Sequence, residues 1–166
     1  MCLDTVVTKR QFFKKFGINS INHHPKYPHL LIGFKVVKPT GLGFRPTNFG
    51  SRAKVFSIGN WMHEKEMRPD FYSSEKTLYC GASIGGKSKK YRIGFHVLTN
   101  LSAAISYAKH FGLHGRHGKI LKVYFTDICA YGTQDQCPII ITKEILIPKQ
   151  IPYGASGRKC KKRITV

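Results

Sequence analysis

The sequence predicts one α+β domain with a mainly antiparallel sheet of five to seven strands and one or two helices. Two observations support this prediction. Short apolar or alternating segments recur along the chain, and only one strand is followed directly by a helix and another strand. A chain of 166 residues is long enough for one hydrophobic core. We therefore expect a single domain over 1–150, including a basic N-terminal segment at 1–29, and a basic C-terminal tail at 151–166.

The first half of the chain is predicted to contain one short helix and several short strands. The segment 5–16 has apolar residues on one side and basic residues on the other, with Asp4 as a candidate N-cap and Gly17 as a stop. Pro39 is expected to end the first strand. The remaining predictions are strands at 30–37, near 53–58 and at 77–80, and a Gly/Pro-rich loop at 39–52.

The second half contains the clearest helix. It is expected to be capped by Asn100 or Thr99 and ended by Gly112. Its apolar residues recur at helical spacing: Leu101, Ala104, Ile105, Ala108 and Phe111. The predicted strands around it are 91–98, 119–126 and 138–147. Alternation along 119–126 places Lys122 and Tyr124 on one face.

Charge is the strongest compositional signal. The chain has 28 Lys and Arg against 8 Asp and Glu, a formal net charge of +20. Such an imbalance of charge opposes folding, because the like charges repel one another. The excess of positive charge therefore indicates a function that requires it. The predicted partners are nucleic acid or an acidic protein surface in a large assembly.

Two dense groups of basic residues are candidates for phosphate contacts. They lie in a Gly-rich segment and in the tail, and comprise Lys87, Lys89, Lys90, Arg158, Lys159, Lys161, Lys162 and Arg163. Aromatic residues near basic ones are candidates for stacking on bases, or alternatively for the core: Tyr91, Phe95, Tyr107 and Tyr124.

Cysteine usage and hydropathy bear on the compartment. Five widely spaced cysteines without a C-x-x-C pair argue against a disulfide framework and predict an intracellular, reducing compartment, with the virion or the nucleus as destinations. No apolar run approaches the roughly 18 residues of a membrane span. The N-terminus lacks the apolar core of a secretion signal.

The stretch "GASIGGKS" at 81–88 matches the phosphate-binding pattern G-x-x-x-x-G-K-[ST]. That pattern binds nucleotide only where a helix follows it directly, because the helix N-terminus holds the phosphates. Here the following segment, "KKYRIGFHVL", alternates like a strand. We therefore interpret the match as a Gly-rich hairpin loop with exposed lysines.

Three histidines at 110, 114 and 117 have a spacing that resembles a zinc site. Gly112 and Gly115 interrupt the helix that would align them, and neighbouring Arg116 and Lys119 repel a cation. We predict no metal and no cofactor for the leading function.

Two segments resemble the ADP-ribosyltransferase superfamily: "GFHVLTNLSAAISYA" at 94–108 and "TKEILIP" at 142–148. The resemblance implies an NAD-dependent enzyme in which Glu144 is the catalytic acid and Thr99 and Tyr107 line the NAD pocket. This chain has Lys35 where the superfamily places an Arg or His, and Thr142 at the first position of its Glu/Gln-x-Glu pair.

A wider pattern, "MCL…GFK…GNW…GFHV…A…YA…GTQ…KEI", resembles small uncharacterised proteins of viruses and bacteria. It implies a viral or phage context and no particular chemistry. The leading prediction is thus a non-enzymatic, basic protein that binds nucleic acid or another polyanion, as a virion-associated component. The alternative is the ADP-ribosyltransferase-like enzyme.

Overall fold

The computed structural model describes most of the chain. The described residues are 3–17, 21–47, 54–67, 79–84, 87–113, 117–150, 152–154 and 158–160, with backbone only for 79–84 and 87–89. The elements, in chain order, are β1 (Thr5–Val7), α1 (Lys9–Phe16), β2 (Leu31–Thr40), β3 (Gly43–Pro46), β4 (Trp61–His63), α2 (Glu64–Met67), β5 (Tyr79–Ile84), β6 (Lys87–Arg92), β7 (Phe95–Leu98), α3 (Leu101–His110), β8 (Lys119–Gln134) and β9 (Cys137–Leu146).

These elements confirm the predicted α+β class. Seven strands form one sheet in the order β1-β8-β2-β7-β9-β4, with β3 on β2, and all its strand pairings are antiparallel. β5 and β6 form a separate two-stranded sheet. Two helices have eight or more residues, and α2 is a single turn. No helix of the described residues is long and apolar enough to cross a membrane.

The strand pairings close on themselves, because β8 pairs with both β2 and β9 while β7 joins those two strands. The β2–β7 junction is tight at Gly33. A Cβ there would lie 2.3 Å from Val97 Cγ1 and 2.9 Å from the Leu98 carbonyl oxygen. Only glycine lets the two strands approach so closely at this point.

The sheet separates two apolar layers. One layer contains Phe12 of α1 with strand residues such as Val123 and Phe125. The other contains Ala104 and Tyr107 of α3. Side chains of one strand alternate between the layers, as expected for a sheet buried on both faces.

The N-terminal prediction needs correction at its start. Thr5–Val7 pairs with β8 as a strand, so the helix begins only at Lys9. Its N-cap is Thr8, which forms a capping box with Gln11, and Asp4 is not the cap. Gly17 ends the helix in the left-handed conformation, as predicted.

Several strand boundaries also differ from the sequence predictions. β8, predicted to end at 126, continues to Gln134, and β5, predicted to end at 80, continues to Ile84. β2 continues through Pro39, because β3 forms within the predicted loop and pairs with this end of β2. Residues 54–57 are not a strand; the strand comes later, at Trp61. The predicted strand 91–98 is interrupted at 93–94, where the chain leaves the hairpin and joins the main sheet.

The longest hairpin joins β8 to β9, and β8 contains a bulge. Its turn residues Asp135 and Gln136 have φ of 47° and 64°, as a two-residue type I′ turn requires. A bulge between Ile128 and Ala130 shifts the register, and Asp127 has φ of 48°. Bulges re-aim the neighbouring side chains.

Candidate nucleic-acid interface

The segment that matches the phosphate-binding pattern is a hairpin. Ile84 of β5 pairs with Lys87 of β6, so a strand begins at the lysine of the motif. Residues 85 and 86 lie outside the described residues. A phosphate-binding loop requires a helix at this point, and its backbone N–H groups would face the phosphates. The hairpin interpretation is therefore confirmed, because a strand begins where the pattern requires a helix.

The predicted phosphate-binding lysines of this hairpin lie on β6. Lys90 is exposed. The side chains of Lys87 and Lys89 lie outside the described residues. The hairpin is anchored by its next residue, Tyr91, which is buried and whose hydroxyl accepts a hydrogen bond from the Leu3 amide at 2.5 Å. The anchor holds this basic strand against the N-terminal part of the domain.

The first basic residues of the tail are held against the domain. Tyr153 exchanges two backbone hydrogen bonds with Ile120, at 2.8 and 2.9 Å, and forms a bridge with Lys159. The Cys160 amide donates to the Pro152 carbonyl at 2.9 Å. Arg158 and Lys159 are exposed. The predicted residues Lys161, Lys162 and Arg163 lie outside the described residues.

Exposed cations extend over other elements as well. α1 turns Phe12 into the core and leaves its basic side chains exposed: Lys9, Arg10, Lys14 and Lys15. Lys26, Lys38 and Lys149 are also exposed and form no ion pair with a described carboxylate. Positive charge therefore covers several separate parts of the surface.

One row of residues that crosses the main sheet is apolar and partly exposed. Cross-strand pairing aligns one residue from each of four strands: Ile32 of β2, Tyr124 of β8, Leu146 of β9 and Trp61 of β4. Directly paired residues in antiparallel strands project to the same face. Trp61 is 42% exposed, and the other three are half-buried. We call this row, together with Lys122, the open face.

The open face continues into a chain of aromatic rings. The His24 and Tyr124 rings form a T-shaped pair with centroids 4.7 Å apart, and the Tyr27 ring centroid lies 5.1 Å from that of His24. His24 Nδ1 accepts the backbone amides of Lys26 and Tyr27, at 3.1 and 3.2 Å, which holds this loop in place. Lys122 Nζ lies 5.5 Å from the centroid of Tyr124, a cation–π distance.

Of the four aromatic residues predicted as stacking candidates, three belong to the core. Tyr91, Phe95 and Tyr107 are all buried. Tyr124 alone of the four is partly open, and it shares its face with Lys122 as the alternation predicted. Because the other three rings are buried, a base cannot stack on them.

A charged cleft of about 290 Å³ lies beside the bulge, lined by Arg92, Asp127, Ile128, Cys129 and Lys143. Arg92 Nη2 donates to Glu64 Oε1 at 3.3 Å, and this carboxylate is fully buried. Burial raises the pKa of Glu64, and the nearby His63 and Arg92 oppose that shift. The pair links α2 to Arg92 of β6, which lines the cleft.

Cys129 of the cleft and Cys137 at the start of β9 are not activated thiols. Burial raises the pKa of Cys129, and Lys143 opposes the shift. Burial also raises the pKa of Cys137, with a further contribution from Asp135. A thiol with a raised pKa is mostly protonated and is a poor nucleophile or metal ligand.

Two basic side chains are buried at the junction of β2 and β7. Lys35 is 3% exposed; its Nζ donates to the His96 carbonyl at 3.0 Å and lies 5.7 and 5.5 Å from the Phe56 and Phe95 ring centroids. Burial lowers the pKa of Lys35 to about 7. Burial and the charge of Lys35 lower the pKa of His96 to about 3. Both groups therefore resist protonation in the folded state.

The residues of the enzymatic alternative occupy different places. Glu144 is half-buried on β9, in a row between His63 of β4 and Thr126 of β8. Tyr107 is buried on α3, and its hydroxyl donates to Gln134 Oε1 at 3.2 Å. Thr99 is buried directly after Leu98, whose partner Ile139 lies roughly 17 Å along β9 from Glu144. The assignment of these three residues to an NAD site stays a prediction.

The histidine cluster is not assembled in the part of the chain that the structure describes. His110 Nε2 lies 3.3 Å from Asp135 Oδ1, and His117 is exposed in a cleft with Lys38. His114 lies outside the described residues. No group of three metal-ligating side chains occurs among the residues that are described.

Sequence reasoning missed the open face because its members come from four strands. Trp61 stands in a segment without recognisable alternation, and Leu146 in an almost continuous apolar run. The available signal was the alternation that placed Lys122 and Tyr124 together. The pairing of β8 with β2 and β9 supplies the other members.

Comparisons with protein-family models, curated proteins and solved structures find no match for this chain. The viral and ADP-ribosyltransferase resemblances therefore stay predictions.

Proposed function

We propose that this protein binds nucleic acid, or another polyanion, through sequence-independent contacts to phosphate. The supporting observation is the net charge of +20 together with its distribution. Exposed cations occur on α1, on the β5–β6 hairpin and at Arg158 and Lys159. The carboxylate of the fully buried Glu64 is already paired with Arg92.

The spread of charge favours a long, flexible or wrapping anion over a small one. A small anion needs several donors converging on one point, as in a bidentate or nest-like site. Here the cations project from separate elements. A polymer of phosphates contacts many of them at once and releases counterions from each contact.

The test is the salt dependence of affinity. Each phosphate contact on duplex DNA contributes about −0.9 to the slope of log K against log salt. We expect a slope of several units for the wild type, measured by anisotropy with a labelled duplex. Replacing Arg158 and Lys159 with Gln is expected to reduce the slope by about 1 to 2, with a further reduction when Lys87, Lys89 and Lys90 are replaced.

Lys35→Met is a control for these substitutions. It also replaces a basic residue, but Lys35 is 3% exposed and cannot reach a phosphate. Its slope is expected to equal that of the wild type. An affinity that barely changes between low and moderate salt would contradict the proposal.

The enzymatic alternative has its own experiment. If Glu144 is a catalytic acid, the wild type consumes NAD and Glu144→Ala abolishes this activity, as loss of a general acid–base or charge-stabilising group does. Glu66→Ala is the control, because Glu66 is an exposed acid on α2. NAD consumption that is equal in the wild type and Glu144→Ala would remove Glu144 from the mechanism.

A further inference from the structure

The open face offers stacking surfaces at a spacing that suits a chain of bases. Trp61 and Tyr124 lie on β4 and β8, with β9 between them. Neighbouring strands are about 4.8 Å apart, so the two side chains originate about 10 Å apart on the same face. Two different bases can therefore stack on them. Tyr27, 53% exposed, extends the same surface beyond His24.

The row is open because α3 covers only part of this face. Ile120 precedes Lys122 and Tyr124 on the same side of β8, and it is buried in the layer that contains Ala104 and Tyr107. The opposite face of the same strands is closed: Phe125, Ile145 and Met62 form the adjacent paired row and are buried in the other layer. The exposed aromatic rings are thus confined to one face of this part of the sheet, and the opposite face is buried in the core.

Charge around the open face complements a phosphate backbone. Lys122 lies on the face, with its Nζ 5.5 Å from the Tyr124 centroid, and exposed Lys26 is in the loop that carries Tyr27. Glu144 is the acid of the adjoining row, paired in register with His63. Rings interleaved with cations are the arrangement by which proteins hold single strands.

We propose that the open face binds single-stranded nucleic acid, with bases stacked on Trp61, Tyr124 and Tyr27 and phosphates near Lys122 and Lys26. This inference rests on the proposed function and narrows it. A duplex keeps its bases stacked inside and offers no free base to the rings. An acidic protein surface could pair with the cations, but it has no bases to stack on the aromatic rings.

Trp61 is the only tryptophan in the chain, so its fluorescence reports directly on this face. We expect oligo(dT) to quench Trp61 on binding. A duplex of equal phosphate content and inorganic polyphosphate are expected to bind without comparable quenching. Equal quenching by all three would overturn the assignment to single strands.

Variants separate stacking from charge, with binding measured by anisotropy of labelled oligo(dT). Trp61→Ala and Tyr124→Ala are each expected to weaken binding about 5- to 100-fold, while duplex affinity stays unchanged. Trp61→Phe keeps a ring and is expected to retain most of the affinity. Leu42→Ala is the control, because Leu42 is an exposed apolar residue at 79% on the β2–β3 turn. Thermal unfolding of each variant verifies its fold.

The outcomes distinguish the two proposals. Oligo(dT) binding without quenching, and with Trp61→Ala and Tyr124→Ala equal to the wild type, would overturn the open face while leaving phosphate binding intact. Absence of binding to oligo(dT), duplex and polyphosphate alike would overturn both. Quenching by oligo(dT) with a selective loss in the two alanine variants would support both.

Discussion

Replacing Lys35 with Met is expected to stabilise the protein by up to about 5 kcal/mol below pH 7, an advantage that disappears as the pH approaches 10.5. Met has a similar length and no charge, so it keeps the contacts of the aliphatic chain with Phe56 and Phe95. It loses the hydrogen bond to the His96 carbonyl, which is why the figure is an upper bound.

The sign follows from the two pKa values. The pKa of Lys35 is 10.5 in the unfolded chain and about 7 in the folded protein, because burial disfavours the ammonium form. Between these values the unfolded chain holds a proton that the folded protein lacks, so stability rises with pH by about 1.4 kcal/mol per unit. Below pH 7 both states are charged and the full penalty applies.

The measurement is the free energy of unfolding in urea from pH 6 to pH 10 for the wild type and Lys35→Met. The difference between them is expected to shrink steadily above pH 7. Lys38→Met is the control, since Lys38 is exposed on the same strand and its difference from the wild type is expected to stay flat. A constant difference for Lys35→Met would show that Lys35 is not held in an apolar environment.

His96 is expected to make the fold acid-sensitive by about 1.4 kcal/mol per pH unit below pH 6.5. The pKa of His96 falls from 6.5 in the unfolded chain to about 3 in the folded protein, through burial and then through the charge of Lys35. Between these values the unfolded chain binds a proton that the folded protein excludes, so stability is lost as the pH falls. The total over this window is about 5 kcal/mol.

The check compares the wild type with His96→Leu over the pH range in which both proteins fold. The difference in unfolding free energy is expected to be constant above pH 6.5 and to shift in favour of the variant below it. His29→Leu serves as the control, because His29 is exposed. Parallel pH profiles for the wild type and His96→Leu would contradict the burial of this imidazole.

The two side chains are also coupled, which gives an internal consistency test. Because the charge of Lys35 lowers the pKa of His96, removing it in Lys35→Met is expected to raise that pKa. The acid sensitivity that arises from His96 is then smaller in Lys35→Met than in the wild type. Additive behaviour of the two changes would show that the groups do not interact.

Local chemistry predicted a large part of the fold. The α+β class, the α3 helix with its Asn100 cap, and the hairpin at "GASIGGKS" all follow from patterns within about ten residues. The errors lie at places where a distant strand decides the structure. Thr5–Val7 is extended because β8 offers it hydrogen-bond partners, and Pro39 stays in β2 because β3 folds back onto it.

The candidate binding surfaces also differ in how far the sequence alone could predict them. The charge of +20 and the basic tail are properties of composition, so the prediction of a polyanion partner required no coordinates. The open face required them, since Ile32, Tyr124, Leu146 and Trp61 become neighbours only through the pairing of four strands. The burial of Lys35 likewise depends on Phe56 and Phe95, which lie far from it in the chain.

The sequence by itself determined the class of the fold, its clearest helix and the strongly positive charge. Hydrophobic periodicity depends only on nearby residues, and the net charge is a sum over the residues of the chain. Only the tertiary structure decided which aromatic side chains remain accessible to solvent and which basic side chains are buried. Tyr124 and Tyr107 are the same residue type near similar charges, and one is partly open while the other is buried. The difference arises because α3 packs over one part of the sheet and leaves the other part in contact with solvent.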